Sequence, residues 1–437
     1  MRSRYDVVVF GGGTAGAPAA IQAARLGAST LLVEKNGALG GTTTVAGVAL
    51  PGLFHAWGQQ IIAGIGWDVV LRSVREAGLE LPDFSRWDLP HYMLQVRVVP
   101  AVLAALLDDA VLASGADLLL HAMAASARWD GRSWRLGIAT KEGVREVQAG
   151  CVVDCTGDAD VVGLAGLPRR TNARRQPGTI MVRFGGYELA DLDLDAIQRA
   201  HDAAVARGEL HPADLAHNPV GKFLRNRGEN AIHVTGIQGG TSEDRTAAEV
   251  AGRRTLLRIL RFLRRQPGLE RVTVDAWATE TGIREAFTID GHATITARDY
   301  TSGRQWPDAL SYSFYPIDVH RPDGDGIDIR PLAYGTLPTI PRGALVPRGS
   351  HHMVVAGRAI SGDQEAASAY RVQASSMAMG QAAGALAARC AATGTDVIDL
   401  PIDDVRADLR AHGAILPGDV VVPSPPTTRR PVPEEIP

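Results

Sequence analysis

The chain has 437 residues, of which 45% are hydrophobic and 21% charged, and its formal net charge is −3 at pH 7. Such a composition is typical of a folded globular protein and excludes a mostly disordered or fibrous chain. The near-neutral charge argues against binding nucleic acid or an anionic membrane through bulk electrostatics. At this length a single hydrophobic core stops growing, so we expect two lobes.

The chain carries few cysteines and no long apolar segment. Cys151, Cys155 and Cys390 form no C-x-x-C pair, so we expect no zinc site, no thiol catalyst and no other metal site. Residues 1–4 lead directly into a predicted strand, which leaves no room for a signal peptide, and no apolar run approaches the ~20 residues of a membrane helix. These features predict a cytoplasmic protein without membrane or nucleic-acid partners.

The start of the chain follows the order strand, glycine-rich turn, helix, strand, acid. Residues 4–10 are apolar and β-branched, residues 17–27 show a small-residue helical pattern, and residues 29–33 predict a second strand that closes on Glu34. Residues 11–16, between the first strand and the helix, match the pattern G-x-G-x-x-G. This order is typical of a dinucleotide-binding βαβ unit.

Each part of this pattern has a physical task. Gly11 lets the strand turn into the helix, Gly13 lets backbone N–H groups approach a pyrophosphate, and Gly16 lets the helix pack close to the sheet. The helix N-terminus supplies partial positive charge for the phosphates. Glu34 lies 18 residues after Gly16, where its carboxylate can accept both ribose hydroxyls of an adenosine.

Three later segments favour FAD over NAD as the dinucleotide. Residues 39–44 supply glycines and hydroxyls for a loop over a pyrophosphate, residues 151–158 form an apolar strand ending in Thr-Gly-Asp, and residues 353–358 form a strand that closes on glycine. The last strand leads into a predicted helix at 375–388, in which two glycines four residues apart permit close approach. A ligand touched by both ends of a long chain fits the extended FAD, with the N-terminal end of that helix facing N1 and C2=O of the flavin.

The middle of the chain, residues 167–335, repeats no nucleotide pattern, so we expect no internal NAD(P)H domain. Strands are predicted there at 181–184 and 286–289, and helices at 193–207 and 246–265. The second helix carries many arginines, which would form a nucleic-acid or membrane stripe or, as we prefer, the polar face of a long amphipathic helix. Its apolar face is predicted at Val250, Leu256, Leu257, Leu260 and Leu263.

The sequence resembles the FAD-dependent oxidoreductases that have a glutathione-reductase-type flavin fold, and within them the group related to succinate dehydrogenase and fumarate reductase flavoproteins. The resemblance implies noncovalently bound FAD and redox chemistry at flavin N5. It also implies an α/β fold, in which a FAD-binding Rossmann-like (doubly wound, three-layer) domain carries an inserted α+β substrate-binding domain. The motifs that carry the resemblance lie at 11–34, 40–42, 154–158, 281–285, 314–320, 340–342, 355–358 and 371–384.

The resemblance also implies a discontinuous division into domains. Residues 1–166 and 335–420 would form the FAD-binding domain, and residues 167–334 would form the substrate-binding lobe over the flavin. Residues 421–437 would be a Pro-rich tail.

Two positions depart from the pattern of the family. Many relatives hold the ribityl chain with a carboxylate after the glycine of the late strand, whereas this chain has Arg358, which leaves Asp363, Arg358 or backbone groups as alternatives. Fumarate reductases hold a substrate carboxylate with a Gly-Ala-Asn-Arg segment, of which only Arg371 is kept, so a dicarboxylate substrate is not implied. The expected cofactor-binding residues are Gly11, Gly13, Thr14, Ala15, Gly16, Glu34, Lys35, Gly40, Gly41, Thr42, Thr43, Ala124, Thr156, Gly157, Asp158, Gly357, Arg358, Asp363, Gly380 and Gln381.

Three residues are candidates for the chemistry. His320 follows a predicted strand at 315–319, where this architecture places functional groups, and an imidazole can exchange a proton near neutral pH. Arg284 would clamp a substrate anion or a flavin carbonyl, or simply pair with Glu285. Arg371 is a candidate because of its place in the resembled motif, directly before the late helix.

These observations predict a FAD-dependent oxidoreductase of the dehydrogenase or reductase type, which acts on a small metabolite by hydride transfer at flavin N5. A flavin-dependent monooxygenase is the alternative within that class, and a flavin-dependent RNA-modifying protein is the alternative from a different class. The expected partners are a small-molecule substrate, an electron donor or acceptor of unknown identity and, in a homo-oligomer, further copies of the chain.

Overall fold

The computed structural model describes residues 1–216, 218–324 and 326–424. The predicted tail at 421–437 therefore lies outside the described residues from residue 425 onward. In the first part of the chain the helices and strands are β1 (Arg4–Phe10), α1 (Gly16–Arg25), β2 (Thr30–Val33), β3 (His55–Ala56), β4 (Gln59–Gln60), α2 (Ile65–Glu76), α3 (Pro100–Ala113), β5 (Asp117–Leu119), β6 (Met123–Trp129), β7 (Trp134–Thr140), β8 (Gly143–Asp154) and α4 (Asp160–Leu164).

The rest of the chain combines short strands with two helices of more than 20 residues. None of the helices in the described residues combines the length and the apolar composition that a bilayer crossing requires. The elements of the middle part are β9 (Arg169–Arg170), β10 (Gly178–Thr179), β11 (Val182–Gly185), α5 (Leu194–Ala206), α6 (Val220–Arg225), β12 (Gly228–Glu229), β13 (His233–Val234), α7 (Ser242–Leu263), β14 (Thr273–Trp277), β15 (Thr288–Ile289), α8 (Ala297–Thr301), β16 (Ala309–Tyr312), β17 (Ile317–His320) and β18 (Ile327–Arg330). The C-terminal elements are β19 (Thr339–Pro341), α9 (Arg342–Leu345), β20 (Met353–Val355), α10 (Gln364–Tyr370), α11 (Gln373–Thr393) and α12 (Ile402–Ala411).

The central sheet has the strand order β5-β2-β1-β8, and these four strands run parallel. Val7 of β1 lies beside Thr30 of β2 and beside Cys151 of β8. The other edge of β8 pairs first with the antiparallel β7 and then, at residues 152–154, with the parallel β20. The C-terminal part of the chain thereby joins the sheet that the N-terminal part begins, and the predicted α/β fold with a largely parallel sheet is confirmed.

Both faces of this sheet are buried. Val7 and Val9 pack in an apolar cluster with α1, α2, α3 and α11, whereas Val8 and Phe10 pack in a second cluster with α4 and the β6–β7 hairpin. Successive side chains of a strand point to opposite faces, so a strand covered on both sides must be apolar almost throughout. The apolar run at the start of the chain thus belongs to the middle one of three layers.

Helices α1 and α11 pack against each other through their backbones. A Cβ atom on Gly380 would lie 2.0 Å from the backbone oxygen of Ala15, and one on Gly384 would lie 2.2 Å from that of Ala19. Only glycine allows so close an approach. Gly380, a predicted cofactor-binding residue, therefore faces the neighbouring helix.

The middle of the chain builds an apolar cluster of its own. This cluster contains residues from 180 to 272, on α5, α6, α7 and β11 among other elements. The apolar side chains of residues 295–337 join the cluster of the parallel sheet instead. The predicted lobe at 167–334 is thus longer than the part that packs by itself, and the division into domains stays a prediction.

Helix α7 is amphipathic, but its buried face is rotated from the predicted one. Leu257 is 46% exposed. Gly252 instead lies on the buried face of α7, where a Cβ atom would lie 2.8 Å from Oγ1 of Thr281. Small residues thus bring the helix close to its neighbours. The buried residues of α7 are Ala248, Gly252, Thr255, Ile259, Phe262 and Leu263.

Candidate functional site

A cavity of about 940 Å³ lies where the carboxyl ends of β1, β8 and β20 meet the N-terminus of α1. Ligands of open α/β sheets bind at this edge, and the volume is typical of a cofactor or metabolite site. Residues of the middle part of the chain form the opposite wall. The predicted site residues that line the cavity are Gly11, Gly13, Thr14, Ala15, Glu34, Lys35, Gly41, Thr42, Ala124, Thr156, Gly157, Asp158, Gly357, Arg358, Arg284, His320 and Arg371.

One end of the cavity is built from backbone and a buried carboxylate. Gly11 has φ +90°, and a Cβ there would lie 2.4 Å from the backbone oxygen of Cys155, so only glycine fits this turn. Oε2 of Glu34 accepts a hydrogen bond from the N–H of Gly12 (2.6 Å), and Oε1 accepts one from the N–H of Asn36 (2.8 Å). Burial raises the pKa of Glu34, although both N–H groups oppose the shift. The carboxylate is held in one position and keeps lone pairs for ribose hydroxyls.

Gly13 and Gly41 face each other at this end of the cavity. A Cβ on Gly41 would lie 2.9 Å from the Cα of Gly13. The cavity wall is therefore free of side chains beside the N-terminus of α1, where backbone N–H groups can meet a phosphate.

Three predicted cofactor residues lie outside the cavity, where they contact other parts of the protein. The carboxylate of Asp363 accepts hydrogen bonds from the N–H groups of Ala366 (2.8 Å) and Ala297 (2.7 Å), so it caps α10 and does not face the cavity. Of the three alternatives for the ribityl contact, the structure therefore brings Arg358 to the cavity and does not bring Asp363 there. Gly16 and Gly40 also lie outside the cavity, in close contacts behind its wall.

Two further predicted residues are engaged in the interior. Oε1 of Gln381 accepts a hydrogen bond from the N–H of Ile65 (3.0 Å), and its Nε2 donates to Gln22 (3.0 Å). Thr43 is fully buried and donates its hydroxyl to Gln373. Neither lines the cavity, so the structure does not bring these two predicted residues to the site.

Helix α11 meets the cavity with its first turn. Gln373 and Ser376 line the cavity, although neither is among the predicted residues. Polar residues at the start of an otherwise apolar helix are the signal that could have identified them. Tyr315, Asp318 and Arg245 also line the cavity. The first two lie in the resembled motif at 314–320, which could have identified them, whereas nothing in the sequence context of Arg245 distinguishes it.

The other end of the cavity brings the three candidate catalytic residues together. His320 ends β17, with 3.5 Å between its Nε2 and Oδ1 of Asp318. Its Nδ1 is buried and has no hydrogen-bond partner among the described residues. Burial and the charge of Arg284 lower the pKa of His320 to about 4, so its imidazole is neutral at pH 7. Burial acts to raise the pKa of Asp318, but the hydrogen bond from His320 and the charges of Arg371 and Arg284 hold it at about 2.

Arg284 and Arg371 meet only neutral acceptors. Arg284 donates to the backbone oxygen of Pro177, and Arg371 donates to the side-chain oxygen of Gln176 (3.0 Å) and the backbone oxygen of Asp318 (3.3 Å). Neither guanidinium forms an ion pair within 4 Å of a carboxylate in the described part of the chain. Burial and mutual repulsion lower the pKa of Arg284 to about 9, and burial lowers the pKa of Arg371, yet both remain protonated at pH 7.

The alternative pairing of Arg284 with Glu285 is absent. The carboxylate of Glu285 accepts hydrogen bonds from the N–H of Gln176 (2.7 Å), from Asn172 (3.0 Å) and from Gln364 (2.7 Å). Glu285 thus links the segments that contain residues 172–176 and 364. It does not bind the guanidinium of Arg284, which lines the cavity.

The family of the chain follows from a family profile described as FAD dependent oxidoreductase, which matches residues 6–409. Because this match covers most of the chain, the chain belongs to that family. It is an enzyme, a FAD-dependent oxidoreductase, and the corresponding predictions of class and cofactor are confirmed.

The curated relatives match shorter stretches. Digeranylgeranylglycerophospholipid reductase 2 of Methanothermobacter thermautotrophicus is 30% identical over 199 residues, which cover 44% of this chain and 48% of the relative. Dihydrolipoyl dehydrogenase of Trypanosoma brucei brucei is 57% identical over 53 residues, which cover 12% of this chain and 11% of the relative. 4-Oxocyclohexanecarboxylate 2-dehydrogenase of Sinomonas cyclohexanicum is 38% identical over 79 residues, which cover 18% and 11%. The chain thus matches less than half the length of each of these relatives.

Similar solved structures are more distant. A geranylgeranyl bacteriochlorophyll reductase-like protein from Thermoplasma acidophilum has a TM-score of 0.44 and 14% identity, over 94% of this chain and 84% of that chain. OxyS anhydrotetracycline hydroxylase from Streptomyces rimosus has a TM-score of 0.30 and 23% identity, over 41% of this chain and 38% of the hydroxylase chain.

The residues at the cavity fit the FAD that this family binds. The side-chain-free wall at Gly13 and Gly41 suits a pyrophosphate, and the carboxylate of Glu34 suits a ribose. At the other end, the unpaired Nδ1 of His320 and two guanidinium groups offer polar partners. The first set would hold the nucleotide, and the second set leaves functional groups for a substrate.

Proposed function

We propose that this FAD-dependent oxidoreductase is of the dehydrogenase or reductase type and acts on a small metabolite that carries an anionic group. Bound FAD supplies the hydride chemistry at flavin N5. The observation that supports the proposal is the pair Arg284 and Arg371, which line the cavity without a carboxylate partner. The ionised carboxylate of Asp318 is close enough to feel both charges, but it makes no direct ion pair with either guanidinium, and an anionic ligand would supply one.

Arg284 and Arg371 would bind and orient the anionic group. A guanidinium offers a planar set of N–H donors that matches a carboxylate, and both groups stay charged at neutral pH. Gln176, backbone oxygens and, at 3.5 Å from Arg284, Nε2 of His233 take part of the N–H groups, and the anionic group would take others. The metabolite is then fixed by one end, which positions its reacting carbon.

His320 would exchange the proton that accompanies the hydride. Its imidazole is neutral at pH 7 and its Nδ1 is unpaired, so it can accept a proton from a substrate hydroxyl. The carboxylate of Asp318, 3.5 Å from Nε2, would stabilise the imidazolium that forms. In the reverse direction the imidazolium would return the proton.

Anaerobic bleaching of the flavin band at about 450 nm tests the proposal. The holoprotein is mixed with a panel of hydroxy and amino carboxylates, and each compound is paired with its uncharged methyl ester. We expect bleaching by at least one carboxylate and a much weaker response to its ester. Reoxidation with O₂, a quinone and a dye then identifies the class of electron acceptor.

The Arg371→Met variant should keep its FAD and need about 100-fold more of the active carboxylate, since a hydrogen bond to a charged group is worth about 1.5–3 kcal/mol. Arg183→Met, on the exposed side of β11, is the matched control. Equal bleaching by acid and ester would contradict the anionic substrate. A hydroxylated product that forms only with O₂ and an external reductant would indicate a monooxygenase instead.

A further inference from the structure

Two ion pairs cross the cavity between the parallel sheet and the middle of the chain. One joins Asp158, in the loop after β8, to Arg245 near the start of α7. The other joins Lys35 to Glu280, with 2.9 Å between Nζ and Oε1. All four side chains line the cavity. Lys35 directly follows Glu34, so its pair with Glu280 lies at the nucleotide end of the site.

Asp158 is the centre of the first pair. Its side chain is 8% exposed, Oδ1 accepts a hydrogen bond from Nη2 of Arg358 (2.8 Å), and Oδ2 accepts one from Arg245. Burial acts to raise its pKa, but the two guanidinium groups outweigh burial and lower it, so the carboxylate is ionised at neutral pH. Arg358 follows β20 and belongs to the sheet. The bond to Arg245 is therefore the one that links Asp158 to the middle of the chain.

The second pair is more open to solvent. The side chains of Lys35 and Glu280 are 51% and 31% exposed. The N–H of Glu280 and the hydroxyl of Thr279 both lie 3.3 Å from the backbone oxygen of Val45, which follows the glycine loop of the nucleotide site. This segment of the middle part thus lies across that loop.

We propose that these two ion pairs form a latch, and that FAD enters or leaves the cavity only when both pairs open together. Glu34 is 5% exposed while the pairs are closed, so its carboxylate has little contact with solvent. Arg245 is carried by α7, whose apolar side chains belong to the separate cluster at residues 180–272. That cluster can move as a unit away from the sheet, which is the usual form of a closing motion over a ligand.

The dissociation rate of FAD from the holoprotein tests the latch. Released FAD regains its fluorescence, so the rate is read after dilution without any substrate, and the outcome does not depend on the proposed reaction. Lys35→Met should speed release about threefold, because the pair is partly exposed. Arg245→Met should speed release about tenfold or more, because its partner is buried. In the double variant the two factors should multiply, and high salt should speed release from the wild type more than from the double variant.

Three comparisons make the test specific. Arg253→Met on the exposed side of α7, whose partner is Glu249 in the same helix, should release FAD at the wild-type rate. Arg245→Lys should restore most of the slow release, and circular dichroism of each variant confirms that it is folded. Wild-type release rates in the double variant would overturn the proposal. A double variant no faster than Arg245→Met alone would also overturn it, because the two pairs would then not open in one event.

Discussion

Gly13 and Gly16 belong to one sequence pattern, but their missing side chains have different tasks. The nearest atom to a Cβ on Gly13 would be the Cα of Gly41 at 3.8 Å, so this space belongs to the cavity. A Cβ on Gly16 would lie 1.7 Å from the backbone oxygen of Gly11, inside the turn from β1 to α1. The first glycine makes room for a ligand, and the second makes room for the protein's own backbone.

The Gly13→Val variant should therefore fold and purify without flavin, whereas Gly16→Val should fail to fold. Valine at Gly13 fills the space beside the N-terminus of α1, while valine at Gly16 forces the turn open against packed backbone. Absorbance at about 450 nm and circular dichroism distinguish the two results. A yellow Gly13→Val protein would show that the cofactor does not approach this glycine.

The environment of His320 sets the pH at which it can serve as a base. Burial and the charge of Arg284 lower its pKa to about 4, although Asp318 opposes the shift. The imidazole therefore binds a proton only below about pH 4 and is a free base at higher pH.

For oxidation of a hydroxyl substrate, the rate of flavin bleaching should thus stay constant from about pH 5 to pH 8 and fall as the pH decreases through about 4. His320→Gln should keep its FAD, lose about 100-fold or more of the rate and lack this acid limb. Stopped-flow bleaching across the pH range gives both results. An inflection near 6.5 in the wild type would indicate an imidazole that is not shielded from water.

At the scale of elements, the packing of α11 on α1 carries the C-terminal part of the chain onto the nucleotide-binding unit. The contact depends on Gly380 and Gly384, which oppose backbone oxygens of α1. A methyl group at either position has no space unless the helices move apart. The N-terminus of α1 and the first turn of α11 both line the cavity, so a shift of α11 would change the shape of the cofactor site.

Gly380→Ala should lower the free energy of unfolding by about 3 kcal/mol, as overpacking of a close contact does. The matched change is Gly394→Ala, at the end of the same helix, where φ is +70° and no atom lies within 4 Å of the new methyl group. That change should cost about 1 kcal/mol from backbone strain alone. Denaturant unfolding of both variants measures the difference, and equal losses would argue against the helix contact.

For the whole molecule, the cavity that fits FAD brings together parts of the chain that are distant in sequence. The cavity is lined by the start of the chain, by the middle part and by the segments around β20 and α11. A ligand that contacts all of them is lost on unfolding, so its binding free energy adds to the stability of the folded state.

FAD at 100 times its Kd should stabilise the apoprotein by about 2.7 kcal/mol, which is several degrees in Tm. Thermal unfolding of apoprotein with added FAD measures this shift. The Gly13→Val variant is the control and should show no shift. A wild-type apoprotein that does not respond to FAD would contradict the assignment of the cavity.

Much of the nucleotide end of the site follows from residues that are close in sequence. The strand, turn, helix, strand and Glu34 are consecutive, and the predicted helix at 17–27 corresponds to α1 at Gly16–Arg25. Each part has a local cause: an apolar run, a glycine where φ is positive and an acid at the end of the second strand. No contact with the remote parts of the chain was needed to recognise it.

The predicted residues that the structure places away from the cavity include side chains whose partners are remote in sequence. Asp363 is polar and close to the late strand, yet it caps α10 and binds the backbone of Ala297. Gln381 lies in the late helix, but the helix presents its first turn to the cavity, and Gln381 binds Gln22 in α1 instead. Sequence spacing predicts which residues share a helix face, but it does not say what that face meets.

The order of amino acids was therefore sufficient for the βαβ unit at the nucleotide end, because that unit depends on contacts within a few turns of chain. The choice of FAD came from motifs at both ends of the sequence. Only the folded chain decided which charges meet across the cavity. Asp158 pairs with Arg245 and Arg358 over separations of 87 and 200 residues, while Arg284 and Arg371 are left without a carboxylate. The electrostatic energy of a charged side chain depends on the groups that packing brings within a few ångströms of it. Those groups come from remote parts of the chain, so the order of residues does not reveal them.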